Sequence, residues 1–352
     1  MGDPRVSIVM PVRNEADFIE PSVGAVLAQE WPAELLEVIV ADGMSDDGTR
    51  DLLATMAKAR PNLRIVDNPA GIVAPGLNRA IAEARGEIVI RIDGHCEVAP
   101  DFVSKCVEAL ERHGLENGAL LAVGGPIETV GSTRAARAIA ASMSAHFGVG
   151  GSGFRVGTGG QREVDTVAFP AYPRQTMEAV GPFDEELVRN QDDEYNFRLR
   201  SLGGRVVLCP EIRSVYHSRS TLTSLWRQYF QYGFWKVRVM QKHTRQMQPR
   251  QFVPALFVLA LVLGLAAGIV LPVLWVVFAL VVGSYLAANL AASVALAARR
   301  GWSLLPLLPL AFATLHVAYG LGFLWGLARF AGRWGDRTTE VGGERVMTGA
   351  NR

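Results

Sequence analysis

The run Glu87-Ile-Val-Ile-Arg-Ile-Asp93-Gly94-His95-Cys96-Glu97 is an apolar β pattern that ends in an acidic tip. About a hundred residues later a second cluster, Gln191-Asp192-Asp193-Glu194, opens a helical pattern. A carboxylate at a strand end suits a divalent cation on a phosphorylated ligand, and a second carboxylate can take a proton as general base. From residue 252 to residue 328 the chain is almost wholly apolar, and 252–298 contain no Asp, Glu, Lys or Arg. Together these features imply an enzyme that handles a phosphorylated donor beside a lipid surface.

The elements that must position these acids alternate in type. Strand patterns cover 6–11, 36–41, 63–67 and 87–93, and helical patterns cover 16–29, 48–60 and 74–84. Ser45, Asp46 and Asp47 are suited to capping the second helix. The alternation predicts a parallel sheet with helices on both faces, with ligands outside the carboxyl ends of the strands. Those ends carry Pro11-Val-Arg13-Asn14-Glu15, Asp42-Gly43-Met-Ser45 and Asp93-Gly94-His95. The chain has no Gly-x-Gly-x-x-Gly turn after the first strand and no Walker lysine loop, which counts against dinucleotide and P-loop chemistry. A metal ion is then the means of neutralising a diphosphate.

Composition bounds the rest. The 352 residues, 49% hydrophobic with net charge +1, accommodate one sizeable soluble domain and a membrane region, and no basic block points to nucleic acid. Cys96, Cys106 and Cys209 form neither a paired framework nor a zinc pattern, so reduced thiols in the cytosol are expected. The first apolar run is strand-like rather than a signal peptide, which keeps the large domain on the side where it is made.

The run Val6-Ser-Ile-Val-Met-Pro-Val-Arg-Asn-Glu15, the turn Asp42-Gly43-x-Ser45-x-Asp47-Gly48-Thr49, Asn78 in Gly76-Leu-Asn-Arg-Ala80, and Gly86-Glu-Ile-Val-Ile-Arg-Ile-Asp93 resemble family 2 glycosyltransferases. The Arg91-Ile-Asp93-Gly94-His95 form and Asn190-Gln-Asp-Asp-Glu-Tyr-Asn-Phe-Arg198 are most similar to succinoglycan-type exopolysaccharide glucosyltransferases. The resemblance covers about residues 5–240 and implies an α/β GT-A nucleotide-diphospho-sugar transferase fold followed by transmembrane helices. It also implies roles. Pro11, Asn14, Glu15, Asp42, Asp93 and Gly94 would line the donor slot, with Asp42 reading the nucleobase edge. Asp93 and His95 take the two liganding positions of the family's Asp-x-Asp element, and His217 stands where relatives place a metal-binding histidine. Histidine is softer than Mg²⁺ usually prefers, so Mn²⁺ stands beside Mg²⁺ as the implied cofactor, and Glu97 could supply the missing carboxylate. Asp192 takes the position of the catalytic base and Glu194 that of the second acid, with Asp193 the competing base. Capping remains the bland reading for these acids, and a structural role the bland reading for both histidines. The glycine-rich stretch 148–160, with Arg155, reads as a mobile loop near the acceptor or as a plain surface loop.

Residues 222–242 interleave Trp226, Tyr229, Phe230, Tyr232, Phe234 and Trp235 with Arg227, Lys236, Arg238 and Lys242, as a headgroup-level helix would; packing onto the soluble core is the alternative. The 47 uncharged residues fit two spans, about 252–270 and 273–298, whose basic flanks place both ends in the cytoplasm. A third segment, 302–328, is long enough to span, but that would carry Arg329, Arg333 and Arg337 outside, and Pro306 and Pro309 allow a shallow re-entrant path. The expected domains are therefore 1–220, 221–250, 251–330 and a flexible tail at 331–352. Without the family's Gln-x-x-Arg-Trp motif, addition of one sugar is expected. The implied reaction is inverting transfer, with UDP-glucose the implied donor, to a polyprenyl-diphosphate-linked saccharide at the bacterial inner membrane, beside other polysaccharide-assembly proteins. A polyprenyl-phosphate sugar synthase and a non-catalytic nucleotide-sugar-binding membrane protein are the alternatives.

Overall fold

The computed structural model describes residues 3–156, 159–335, 339–341 and 344–346. The chain divides into two compact units, Met1–Glu128 with Gly153–His217, and Thr129–Ser152 with Ser218–Arg352.

The first unit begins β1 (Val6–Val12), α1 (Ile19–Leu27), β2 (Leu36–Asp42), α2 (Thr49–Ala59), β3 (Leu63–Asp67), α3 (Val73–Glu83), β4 (Ile88–Arg91). It continues with β5 (Cys96–Val98), α4 (Phe102–Arg112), β6 (Leu121–Gly125) and β7 (Ile127–Val130), which runs into the second unit. There α5 (Arg134–Met143) and α6 (His146–Val149) follow. The first unit resumes with α7 (Gly153–Val156), β8 (Arg162–Glu163), β9 (Ala168–Pro173), α8 (Arg174–Val180), α9 (Gln191–Ser201), β10 (Arg205–Leu208) and β11 (Ser214–His217). The second unit then holds α10 (Leu222–Lys242), α11 (Val253–Val270), α12 (Trp275–Arg300), α13 (Leu308–Arg329) and a short antiparallel pair, β12 (Thr339–Val341) and β13 (Glu344–Val346).

The main sheet has the order β3-β2-β1-β4-β9-β6-β10-β8. Its first four strands are parallel, as the alternating pattern predicts, because each crossover helix returns the chain to the same edge. The sheet is mixed rather than wholly parallel: β9 runs antiparallel between β4 and β6, and β8 antiparallel on β10. β1 and β2 are buried on both faces, so they read as continuous apolar runs rather than alternating ones. The register pairs Val12 with Asp42 and Asp42 with Asp67, which aligns the carboxyl ends of three strands at one rim. Helix α1 starts three residues later than its pattern predicts. The amides of Glu15 and Ala16 donate instead to Thr49 Oγ1 and to the Asp47 carboxylate, which hold that segment in a turn.

In the second unit α11, α12 and α13 are each long and apolar enough to cross a membrane. Helix α10 packs lengthwise on α13 through close backbone approach. A Cβ at Gly233 would collide with the Tyr319 carbonyl oxygen, and one at Gly322 with that of Phe230. Segment 129–152 joins this unit because Phe147 of α6 packs edge-on against Phe312 at 5.1 Å and its carbonyl oxygen lies 2.7 Å from His316 Nε2. The glycine-rich stretch is thus divided between the units, and its residues 157–158 lie outside the described residues, as does most of the tail beyond 335.

Replacing Gly233 by Val should force α10 and α13 apart and lower stability by about 1–3 kcal/mol, the range for overpacking a close contact. Thermal unfolding of the purified protein in detergent measures it, and an unchanged midpoint would mean the helices do not pack in this way.

Candidate active site

The site is built on the end of β4. Arg91, the last residue of that strand, is 8% exposed, and its Nε and NH2 both donate to Asp93 Oδ1, at 3.1 and 3.0 Å. Burial alone would lower the guanidinium's pKa, but the negative charges of Asp93 and Asp192 more than offset that and hold it above its ordinary value. The same pairing works in reverse on Asp93. Burial pushes its carboxyl upward, and Arg91, with His95 and Arg189, outweighs burial and keeps it ionised below the usual range. One buried cation therefore draws the strand-end acid and the first acid of the later cluster to a single place.

The loop after β4 is tight. A Cβ at Gly94 would come within 2.7 Å of Val12 Cγ1, so only glycine lets this loop lie against the end of β1. His95 Nδ1 is 2.9 Å from Glu15 Oε1, and its ring stands edge-on to Tyr216 at 5.1 Å. With Nδ1–H donating to the carboxylate, the tautomer is set and Nε2 presents its lone pair. Where β5 and β11 pair antiparallel and Glu97 stands opposite Val215, Glu97 Oε1 lies 2.8 Å from His217 Nε2. Each sequence-predicted metal histidine thus carries a carboxylate partner.

The donor-side acids take different places. Asp42 is fully buried, with Oδ1 accepting from Ser45 Oγ at 2.6 Å and from the Ser45 amide at 3.2 Å, while Arg50 donates to Oδ2 at 2.9 Å. Its carboxylate therefore shapes the loop after β2 and aims Arg50. Asn14 adopts a left-handed backbone, φ 55°, which Asn tolerates, and its amide side chain exchanges two hydrogen bonds with Asp46, at 2.8 and 3.1 Å. Pro11 is buried in β1 opposite Ala41 and serves the strand. Asp47 precedes α2 and accepts from Thr49 Oγ1 at 2.6 Å and from the Thr49 amide at 3.0 Å, and the first of these bonds holds its carboxyl below the usual range.

Helix α9 sorts the second cluster. Tyr195 is fully buried, stacked on Phe183 at 4.1 Å and edge-on to Tyr172 at 5.3 Å, which anchors the first turn. Glu194 is 2% exposed and gripped by Arg198, Nε to Oε1 at 2.7 Å and NH2 to Oε2 at 3.0 Å. Arg198 also donates to the Val180 and Pro182 carbonyls, so the pair ties α9 to the end of α8. Glu194 thereby acts as a strut between α9 and the end of α8. Asn78 exchanges hydrogen bonds with the Phe183 backbone at 2.8 and 2.9 Å and fixes the turn leading to α9. Asp192, half-buried in the first turn, receives the Asp193 amide on Oδ1 at 2.9 Å. Its Oδ2 has no hydrogen-bond partner among the described residues.

Could these residues hold a divalent cation? Among the described residues no three of His, Cys, Asp and Glu stand together as a ready ligand set, so the expected grouping of Asp93, His95 and His217 is not preassembled. Asp93 Oδ2 and His95 Nε2 nevertheless have no hydrogen-bond partner among the described residues. Two protein ligands on one loop fit a cation that takes its remaining ligands from water and a diphosphate, the habit of Mg²⁺ and Mn²⁺ at phosphate sites. Cys96 is fully buried, and burial first and Asp93 second push its thiol well above its ordinary value.

Sequence reasoning missed Arg91 and Arg198 as organisers of the site. Arg91 was legible as an arginine placed inside an apolar strand two residues before an acid. Arg198 was legible only as a helical partner four residues after Glu194.

Known proteins resemble this chain throughout. A model described as glycosyl transferase family 2 matches residues 7–145. The succinoglycan biosynthesis protein ExoA of Rhizobium meliloti is 32% identical over 329 residues, 93% of this chain and 96% of that protein. The glycosyltransferase AglE of Haloferax volcanii is 26% identical over 262 residues, 73% of this chain and 80% of AglE. Among solved structures, the mannosyltransferase PcManGT of Pyrobaculum calidifontis, in complex with GDP-Man and Mn²⁺, shares the fold with a TM-score of 0.57 at 22% identity, covering 92% of this chain and 88% of that one.

Removing the central cation should strand its acids. Arg91→Met is expected to cost about 3–5 kcal/mol, the loss for breaking a buried pair, whereas Arg91→Met with Asp93→Asn should recover much of it. Because the folded pKa of Asp93 is depressed, its contribution is complete above the unfolded value and lost as pH falls through the folded one. Chemical unfolding of the wild type, Arg91→Met, Asp93→Asn and the double variant at neutral and acid pH tests both points; additive losses would refute the coupling.

Proposed function

This chain belongs to glycosyltransferase family 2, a nucleotide-sugar-dependent transferase, and we propose that it moves one hexose with inversion onto a hydroxyl of a polyprenyl-diphosphate-linked saccharide in exopolysaccharide assembly. The single observation that carries the mechanism is the sorting of the acids: Asp93 locked to Arg91, Glu194 locked to Arg198, and Asp192 with a carboxylate oxygen left to act. Near-full-length similarity to a succinoglycan biosynthesis protein supports the polysaccharide setting, and UDP-glucose is the proposed donor.

In this reading the diphosphate of the donor lies against the loop from Asp93 to His95. Asp93 and His95 would hold Mg²⁺ or Mn²⁺ there, and the bound ion would stabilise the charge that develops on the leaving diphosphate. His217, already engaged with Glu97, would orient that wall of the site rather than ligate. Glu15 keeps His95 in its ligand tautomer. Asn14 and the Asp42 loop frame the nucleoside slot, with Ser45 and Arg50 held in place by the Asp42 carboxylate.

Asp192 would accept the proton of the acceptor hydroxyl as the bond to the anomeric carbon forms, and attack from the face opposite the leaving group inverts that carbon. Arg91 feels the negative charge of both Asp93 and Asp192, which links the donor side of this reading to the acceptor side. The catalytic unit would lie on the cytoplasmic face of a bacterial inner membrane, where nucleotide sugars are available.

Washed membranes containing the protein, given a panel of labelled nucleotide sugars with Mg²⁺ or Mn²⁺, should place label in the lipid extract. Asp192→Asn should lower that transfer by about 10²–10⁴-fold, the usual worth of a general base. Retention of most activity would instead favour lipid phosphate as acceptor, because a phosphate oxygen needs no base. Nucleotide binding without turnover across the panel would favour a non-catalytic protein, and unchanged transfer by Asp93→Ala would overturn the donor site.

A further inference from the structure

Helix α13 has the length and composition of a membrane span, yet its neighbours within the second unit describe another path. Helices α11 and α12 form an antiparallel hairpin: Phe257 stacks on Tyr285 at 4.3 Å, a Cβ at Gly264 would meet Phe278 at 3.0 Å, and one at Gly268 would meet Trp275 at 2.9 Å. The tip of that hairpin is the turn between Val270 and Trp275.

Along α13, Pro309 accepts a hydrogen bond from Asn289 at 3.1 Å, and His316 bonds Tyr285 at 3.0 Å. Gly320 meets Pro254 and Val258, and Phe323 packs on Phe252 at 5.8 Å. At 1.5 Å per residue, about 21 Å of helix separates Pro309 from Phe323. A third span lying alongside would cover the same length of its partners. Instead these contacts fall within ~6 Å of α12 and ~9 Å of α11. Their sense also reverses, toward the hairpin tip on α12 and away from it on α11. Helix α13 therefore crosses the open end of the hairpin. Its window is 44% buried in the protein, against 17% and 6% for the other two candidates, as a helix covered by neighbours rather than lipid requires.

Its partner on the opposite side agrees. Helix α10 runs parallel to α13, with Phe230 against Gly322 and Phe234 against Gly326, and Gln241 donating to the Phe330 carbonyl at 2.7 Å. A spanning α13 would draw Arg227, Lys236, Arg238 and Lys242 of α10 through the hydrocarbon, at a cost of a few kcal/mol for each charge. Residues 129–152 and 218–335 contain thirteen Lys and Arg and no Asp or Glu, which suits an anionic headgroup layer. Trp226, Trp302, Trp325 and Trp334 are all exposed there, as interfacial tryptophans are.

We propose that α13 does not cross the membrane. With α5, α6 and α10 it forms a platform that lies in the anionic headgroup layer of the cytoplasmic leaflet, and α11 and α12 are the only spans among the described residues. Arg250, Arg299, Arg300, Arg329 and Arg333 then share one side, in keeping with charge bias.

Single cysteines in the full-length protein test this, because Cys96, Cys106 and Cys209 are buried. Val273→Cys, at the exposed hairpin tip, should react with a membrane-impermeant maleimide in intact cells and not in inverted vesicles. Gly332→Cys, whose Cβ would meet nothing within 4 Å, should show the opposite pattern. Labelling of Gly332→Cys in intact cells would establish a third crossing and overturn the proposal. C-terminal fusions give a second readout: a fluorescent protein that matures only in the cytoplasm should fluoresce and alkaline phosphatase should be inactive, and the reverse would also overturn it. Neither readout depends on transferase activity.

Discussion

The buried guanidinium of Arg91 is the constraint around which the catalytic unit is organised. A charge buried at the end of a central strand must be met by opposite charge, because its desolvation is otherwise prohibitive. Asp93 meets it by direct hydrogen bonds and Asp192 by its field. These acids come from segments about a hundred residues apart, so one electrostatic requirement joins the donor-side loop to the first turn of α9. The apolar bed of Tyr172, Tyr195 and Phe183 beneath that turn excludes water, and in such a setting charge pairing is worth more than it would be at the surface.

Around that centre, polar side chains divide into those that build and those that remain available. Asp42, Asp47, Glu194 and Asn78 are engaged by their own neighbours and define loops and helix ends. Asp192 Oδ2, Asp93 Oδ2 and His95 Nε2 have no hydrogen-bond partner among the described residues. Arg50 answers the charge of Asp42 and Asp67, Arg91 that of Asp93, and Arg198 that of Glu194.

The second unit follows a different rule. Its helices have little polar surface with which to recognise one another, so close packing at glycine decides their arrangement. Gly233, Gly320 and Gly322 allow backbones to touch where any Cβ would collide. A small polar set, Tyr285, Asn289, Ser293 and His316, adds directional bonds between α12 and α13, and His316 extends them to the Phe147 carbonyl. This is why 129–152 leaves the sheet-containing unit.

Much of the architecture is local and was therefore legible. The β-branched runs from Val6 to Arg91, the helices between them, the acid after β4 and the uncharged stretch after residue 251 are each set by neighbouring residues, whose periodicity and charge survive in the linear chain. The sequence by itself determined the strand-helix alternation, the rim where acids gather and the presence of two helices long and apolar enough to cross a membrane. Tertiary structure alone decided that β9 enters antiparallel, that Asp42 turns inward to Ser45 and Arg50, that Glu194 rather than Asp192 is taken by Arg198, and that α13 lies across the hairpin. Each of these depends on which distant backbone carbonyl, carboxylate or glycine a side chain meets, and spacing along the chain carries no record of that meeting.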